Sequence, residues 1–435
     1  MRKSDRGLRR PLLLTAALLA GTVSSTGPAG AAPLAESAAG ETATADGPTG
    51  LPRTAAVVAA LDAHPAVQAA EARVSAARAD SRAVARGTHE FTLNTSYIRR
   101  SVDREGRFDE YDATLSRPVR LPGKASLDRE IGQFGVSAAQ NRSEDVRHQT
   151  ALLLAESWWD WVAAAAEARV DRQAVTNYAA MLGAVRRRVA LRDAAPLEAD
   201  QAEAALGTAR LAAQTSAGRE AVARARLAAR FPALSLPAEA PQLPAPDLAG
   251  VSLEALGEKV IARSHEIAAA TAEASRTGAV AARTRLDRIA DPSLGVRLFS
   301  ERGGAERGAG VVLSLPLGGG HRRALADRAA AEAEAARAEV SAVRAAVNEM
   351  SAADMAEARF RDEAWQRARE GLAAQVAALA KLRRGQAVGE IGLAEVLLGE
   401  RQVHDAFRAE AMARAEALRA LTRLRIDSHE LWITE

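Results

Sequence analysis

The residue types that usually carry chemistry are sparse in this chain, and their spacing suits none of the familiar sites. Seven histidines are scattered from His64 to His429, with no HExxH and no pair at i,i+4, so a catalytic zinc site is unsupported. Gly123-Lys124 lacks the upstream glycines of a phosphate-cradling loop. Gly318-Gly319-Gly320-His321 precedes a helical stretch and could cradle an anion, but a backbone turn is the simpler reading. Trp158, Trp159 and Trp161 cluster in one helical stretch, where ordinary packing accounts for them. With no cysteine, disulfides, thiolate metal sites, a cysteine nucleophile and a lipid-modified N-terminal cysteine are all excluded. No constellation supports an enzyme, and no cofactor is expected. What remains is charge at two helix turn-backs: Arg192, Asp193 and Glu198 at one, Arg383, Arg384 and Glu390 at the other.

The elements that hold those turns follow from composition. Of 435 residues, 48% are hydrophobic and 26% charged, yet the aromatics are only 7 Phe, 5 Trp and 3 Tyr. An alanine-dominated apolar fraction with abundant Arg and Glu belongs to long exposed helices, not thick compact cores. Net charge is +3 with no basic block, so no nucleic-acid partner is expected. Residues 1–31 order basic, apolar and small residues as an export signal peptide does, with a non-cleaved amphipathic anchor as the alternative. Residues 32–51 read as a flexible lead-in. No later run approaches 18 apolar residues, which leaves a transmembrane β-barrel open, because its strands are short.

The chain then repeats itself. Residues 52–231 and 252–435 each read as a helix, two short alternating strands, a very long helix and a half-length helix, joined by a Pro-rich connector at 232–251. Leu115-Ser116-Arg117-Pro118-Val119 matches Leu313-Ser314-Leu315-Pro316-Leu317 in the second copy. The strands are expected at about 91–100, 110–119, 293–301 and 309–317, each with one apolar face and a length suited to crossing a bilayer. If those faces meet lipid, every edge must be paired, and four strands cannot close a barrel alone. More than one chain must contribute. Helices are expected over 52–88, 123–192, 197–230, 252–289, 321–388 and 393–430. The fold class is therefore mainly α with a membrane β-barrel, internally duplicated. A filamentous rod, or an exported coiled-coil scaffold or adaptor-like protein without a pore, would explain the helices but not the four strands.

At the strand-to-helix junctions the sequence resembles a known family. Leu115-Ser116-Arg117-Pro118 followed by Leu121-Pro122-Gly123-Lys124 is similar to the strand-end "QP…PGK" segment of TolC-like outer-membrane efflux proteins, with Arg117 where Gln is usual. Pro316 and Gly318 fall in the second-copy equivalent. Ala194-Ala195-Pro196-Leu197-Glu198 resembles the family's first helical turn-back, and Gly389-Glu390-Ile391-Gly392-Leu393 the second. The junction and the second tip look most like the branch serving heavy-metal pumps of the resistance-nodulation-division class. The resemblance implies a homotrimer with a barrel in the outer membrane and a helical tunnel through the periplasm. It implies a periplasmic adaptor and an inner-membrane pump as partners, and substrate, heavy-metal cations included, conducted passively. Adaptor docking would use Ala194, Ala195, Pro196, Leu197, Gly389, Ile391, Gly392 and Leu393. The six tip charges would form rings or interchain salt bridges that gate the end.

Overall fold

A computed structural model describes residues 49–248 and 250–433; the expected signal peptide and residues 32–48 of the lead-in lie outside them. The element order is α1 (Thr54–Asp62), α2 (Pro65–Arg86), β1 (Thr92–Val102), β2 (Gly106–Pro118), α3 (Lys124–Ala190) and α4 (Pro196–Arg230). It continues with α5 (Leu253–Ala262), α6 (His265–Leu286), β3 (Ser293–Glu301), β4 (Glu306–Ser314), α7 (Gly320–Ala387) and α8 (Leu393–Asp427). One order of elements thus occurs twice. Helices α3 and α7 contain 67 and 68 residues, α4 and α8 35 each. At about 1.5 Å per residue, the long helices span roughly 100 Å.

The stretches expected as single helices over 52–88 and 252–289 are each two. Pro65 starts α2 and forces His64 out of helical geometry, and His64 Nδ1 accepts from the Ala66 N–H at 3.3 Å. In the second copy the break needs no proline. Ser264 caps α6, its hydroxyl accepting from Ile267 N–H at 3.2 Å.

The four strands form one antiparallel sheet in the order β1-β2-β3-β4. Both hairpins reach further into their charged loops than the alternation suggested: β1 pairs with β2 out to Val102↔Gly106, and β3 with β4 out to Glu301↔Glu306. Arg104 (φ 69°) and Gly106 (φ 106°) turn the first hairpin within three residues. At the other end β4 stops at Ser314, short of the expected 317, before Pro316, which has no N–H to give a ladder.

Packing sets the lateral order. Helix α2 packs on α3, α3 on α6 and α6 on α7; nearer the tips α4 packs on α3, α3 on α8 and α8 on α7. One flank thus carries β1, α2 and α4, and the other β4 and α7. The largest core lies midway, where Trp158, Trp159 and Trp161 are buried with Val57, Leu61, Phe231, Leu243 and Trp432. Trp158 and Trp161 meet edge to face at 5.3 Å, and Trp159 donates to Thr422 at 3.0 Å. The connector is fixed against this core by arginines: Arg169 donates to Ala240 and Pro241 carbonyls, Arg224 to Pro237 and Ala238, and Arg414 to Leu243. The last lead-in residues are docked too, since Trp158 donates to the Gly50 carbonyl at 2.8 Å.

Candidate functional site

Three regions could do work in this fold: the sheet, the strand-to-helix junctions and the two tips. In the sheet, residues that pair share a face. Leu93, Leu115, Val296 and Val311 form one row across it. Thr95, Ala113, Leu298 and Ala309 form the next, and Tyr97, Tyr111, Ser300 and Arg307 the one beyond. Leu294 and Leu313 extend this face toward the helices. Its large apolar side chains are exposed, Val311 at 77% and Leu93 at 65%. The opposite face is mostly polar, with Asn94, Ser96, Thr114 and an Arg297–Asp112 ion pair beside Ile98, Phe108 and Phe299. Among the described residues no strand pairs with the outer edge of β1 or of β4.

Pro118 closes β2, Pro122 lies in the exposed turn that follows, and Gly123 (φ 84°) takes the left-handed backbone that swings the chain into α3. Lys124, the first residue of α3, is 1% exposed. Its ammonium lies 2.8 Å from Asp287 and 2.8 Å from Asp291, and donates to the Ile289 carbonyl at 2.8 Å. Asp291 also accepts from Leu121 N–H at 3.1 Å, with His89 Nε2 3.1 Å away. Burial alone would raise the Asp291 carboxyl. Hydrogen bonds from Lys124, Leu121 and His89 outweigh it and hold the group below its ordinary range. Arg120 reinforces the corner, donating to the last carbonyls of α2 at Ala85 and Arg86 and pairing with Asp128 at 3.2 Å. Asp128 in turn accepts from Arg283 at 2.7 Å. The first junction therefore ties the two copies together. The second is open: Pro316 and Gly318 (φ 93°) are exposed, and Leu317 is 90% exposed.

At the first tip Arg188 does what sequence reasoning left to Arg192. It donates to the Asp193 carboxylate at 3.0 Å and carbonyl at 3.1 Å, and lies 3.8 Å from Glu198. Asp193 and Glu198 are thus held within their own turn. Arg192, in left-handed backbone (φ 58°), is exposed without an ion pair among the described residues. Ala195, Pro196 and Leu197 are exposed and Ala194 half-buried. At the second tip Arg383 pairs with buried Glu400 across α7 and α8, while Arg384 and Glu390 are exposed and unpaired among the described residues. Gly389 and Gly392 are exposed.

One expected surface residue is not on the surface. Leu393 is 5% exposed, packed with Leu182, Val185 and Leu206 in the core that joins the two helical hairpins, because the first turn of α8 leans on α3 and α4. Ile391 is half-buried against the cluster of Leu379, Val396 and Val403. The tip surface therefore consists of Ala195–Leu197 on one turn and Gly389, Glu390 and Gly392 on the other. Arg188 and Glu400 were missed because their partners come from across a turn or a neighbouring helix.

Solved outer-membrane proteins share this architecture. The outer-membrane channel OprN superposes with a TM-score of 0.73 at 19% identity, over 87% of this chain and 90% of that one. The fold is that of the outer-membrane channels. The outer membrane protein VceC of Vibrio cholerae (TM-score 0.69, 16% identity, 86% of this chain and 95% of that one) shares this channel fold. So does the open-state MtrE outer-membrane channel of Neisseria gonorrhoeae (0.66, 17%, 88% and 90%). No family model and no curated protein matches the sequence. At these identities the likeness is one of fold.

Proposed function

We propose that this chain is the outer-membrane channel of a tripartite efflux system, three copies closing a twelve-stranded barrel over a twelve-helix periplasmic tunnel. The observation that carries the reading is the sheet: one face is apolar and exposed, while both edges are unpaired among the described residues. In lipid an open edge leaves backbone groups unsatisfied at several kcal/mol each, so the β1 edge must meet a β4 edge of another copy. That join brings α2 and α4 of one copy against α7 of the next, head to tail, an interface that forms a ring when the rotation between copies closes. The exposed Leu315 and Leu317 beside β4 are then covered.

In this reading Arg192, Arg384 and Glu390 are the tip charges available for interchain pairing, since Asp193, Glu198 and Arg383 already have partners in their own chain. The adaptor docks on Ala195–Leu197 and on Gly389, Glu390 and Gly392. An inner-membrane pump supplies the substrate. Resemblance of the Pro122-Gly123-Lys124 junction and the second tip to the heavy-metal branch supports a metal cation as cargo.

The test is fractionation of expressing cells, extraction of the outer membrane in mild detergent, oligomeric mass, and conductance after reconstitution. A conducting trimer is the expected result. A soluble monomer in the periplasm would mean that the strands never see lipid, and the scaffold reading would replace this one. Substrate class is read separately, from the sensitivity of a deletion strain to metal salts against organic toxins.

A further inference from the structure

Beyond the tyrosine row the sheet sorts its charges by face. From Tyr97 and Tyr111 to the hairpin turns, the apolar face carries Arg99, Arg107 and Arg307 against a single carboxylate, Asp109. Over the same height the polar face carries Arg100 alone against Glu110, Glu301 and Glu306. The two sides differ in pairing as well. On the polar side Arg100 lies 2.8 Å from Glu110, and at the second hairpin Arg302 lies 3.5 Å from Glu306. On the apolar side Asp109 is shared, accepting from Tyr97 at 2.7 Å with Arg99 3.5 Å away. Arg107 and Arg307 have no carboxylate within ion-pairing distance among the described residues, and both are exposed.

Height matters as much as sign. Arg307 stands in the tyrosine row itself, Arg99 one outward row beyond it and Arg107 two, each row adding about 7 Å along the strand. Below them this face is apolar apart from Thr95, until Arg117 in the row nearest the helices. Tyrosines mark the level where a membrane's hydrocarbon gives way to headgroups. A guanidinium there meets phosphate oxygens with two parallel N–H donors, a geometry in which Arg surpasses Lys.

We infer that Arg99, Arg107 and Arg307 form an outward basic rim that holds phosphate-bearing lipid headgroups of the outer leaflet around the barrel. The assignment rests on the channel reading, because only a barrel in lipid turns this face to headgroups. Its occupant is a lipid rather than free phosphate: the arginines continue a hydrophobic surface that acyl chains cover, and all three are exposed. The rim would act as a collar, bridging neighbouring headgroups and stiffening the hairpins against the leaflet.

The experiment uses the full-length oligomer in a non-ionic detergent, with diphosphorylated lipid A and its dephosphorylated form as probes. The temperature at which the oligomer separates into monomers is the readout. The expected result is a rise with the phosphorylated lipid alone, lost in R107Q/R307Q and kept in the inward-facing E306Q, with channel conductance unchanged in both variants. Equal rises with the two lipids, or a full rise in R107Q/R307Q, would overturn the rim while leaving a conducting oligomer intact. A protein that gives neither oligomer nor conductance would overturn the channel reading, and the rim with it.

Discussion

Asp354 on α7 and Asp427 at the end of α8 are buried carboxyls that share one close cation. Arg423 Nε is 3.0 Å from Asp354 and 3.5 Å from Asp427, and His148 Nε2 sits 2.7 Å from Asp427 on its other side. Burial, and next the neighbouring Asp427 charge, push the Asp354 carboxyl up to about 7, with Arg423 acting against them. The unfolded chain releases that proton near pH 4. Between about pH 4 and 7 the folded state therefore holds a proton the unfolded state has lost, and stability falls as pH rises through that window. Asp354→Asn imitates the protonated form. It is expected to stabilise the protein at pH 8 by on the order of 2–4 kcal/mol, at about 1.4 kcal/mol per pKa unit, and hardly at pH 4. Thermal midpoints of the two proteins across pH read this directly; an equal gain at both ends would mean better packing rather than a lost charge. Lys124 makes the opposite case, a buried cation with its counter-charges in place. Lys124→Met strands Asp291 among buried groups and should cost about 3–5 kcal/mol, part of it recovered in K124M/D291N. If the double variant is no better than the single one, the charge pair is not what Lys124 contributes.

At the scale of elements, the sequence was most legible where a pattern repeats along the chain. Period-two alternation located four strands, and uninterrupted helical stretches gave the lengths of α3 and α7 to within a few residues. Contacts between distant segments were not legible. Lys124 and Asp291 lie 167 residues apart, so nothing local marks Lys124 as buried. Leu393 looked like a surface residue because its turn is exposed, and only the approach of α3 and α4 buries it. Loop length was misread for a simpler reason. Charged hairpin residues still pair through their backbones, and charge reports solvent, not the end of a strand. The tips yield an element-level prediction. Gly392 has ordinary extended backbone (φ −77°), and a side chain there would meet only the movable Glu395 carboxylate. Gly392→Arg should leave fold and oligomer intact yet abolish export by blocking adaptor docking. Normal export in cells carrying this variant would remove the second tip from the docking surface.

For the whole molecule, the question is what covers α4. Its inner stripe, Ala202, Leu206, Ala209 and Ser216, is buried against α3. A second stripe runs down the far side at alternating spacings of four and three: Ala204, Thr208, Leu211, Thr215, Gly218 and Val222, all exposed. The hydroxyls of Thr208 and Thr215 are turned to their own helix, donating to Ala204 and Leu211 carbonyls at 3.1 and 2.8 Å. The surface offered is therefore small and apolar, the pattern of a coiled-coil seam without its partner helix. The bare flank opposite is α7, where Phe360 is exposed about as far from its tip as Val222 is from its own. In the proposed ring, joining β4 to a neighbouring β1 would bring these two residues to one level. Burying each is worth roughly 1.5–3 kcal/mol, and a ring of three repeats the contact at every seam. Val222→Glu or Phe360→Lys alone should thus shift the detergent-extracted protein from trimer to monomer without unfolding the subunit. The pair together should restore the ring in part, since the new charges face each other across the seam. Trimers that survive both single changes would show that α4 and α7 do not meet, and the order of subunits around the barrel would have to be redrawn.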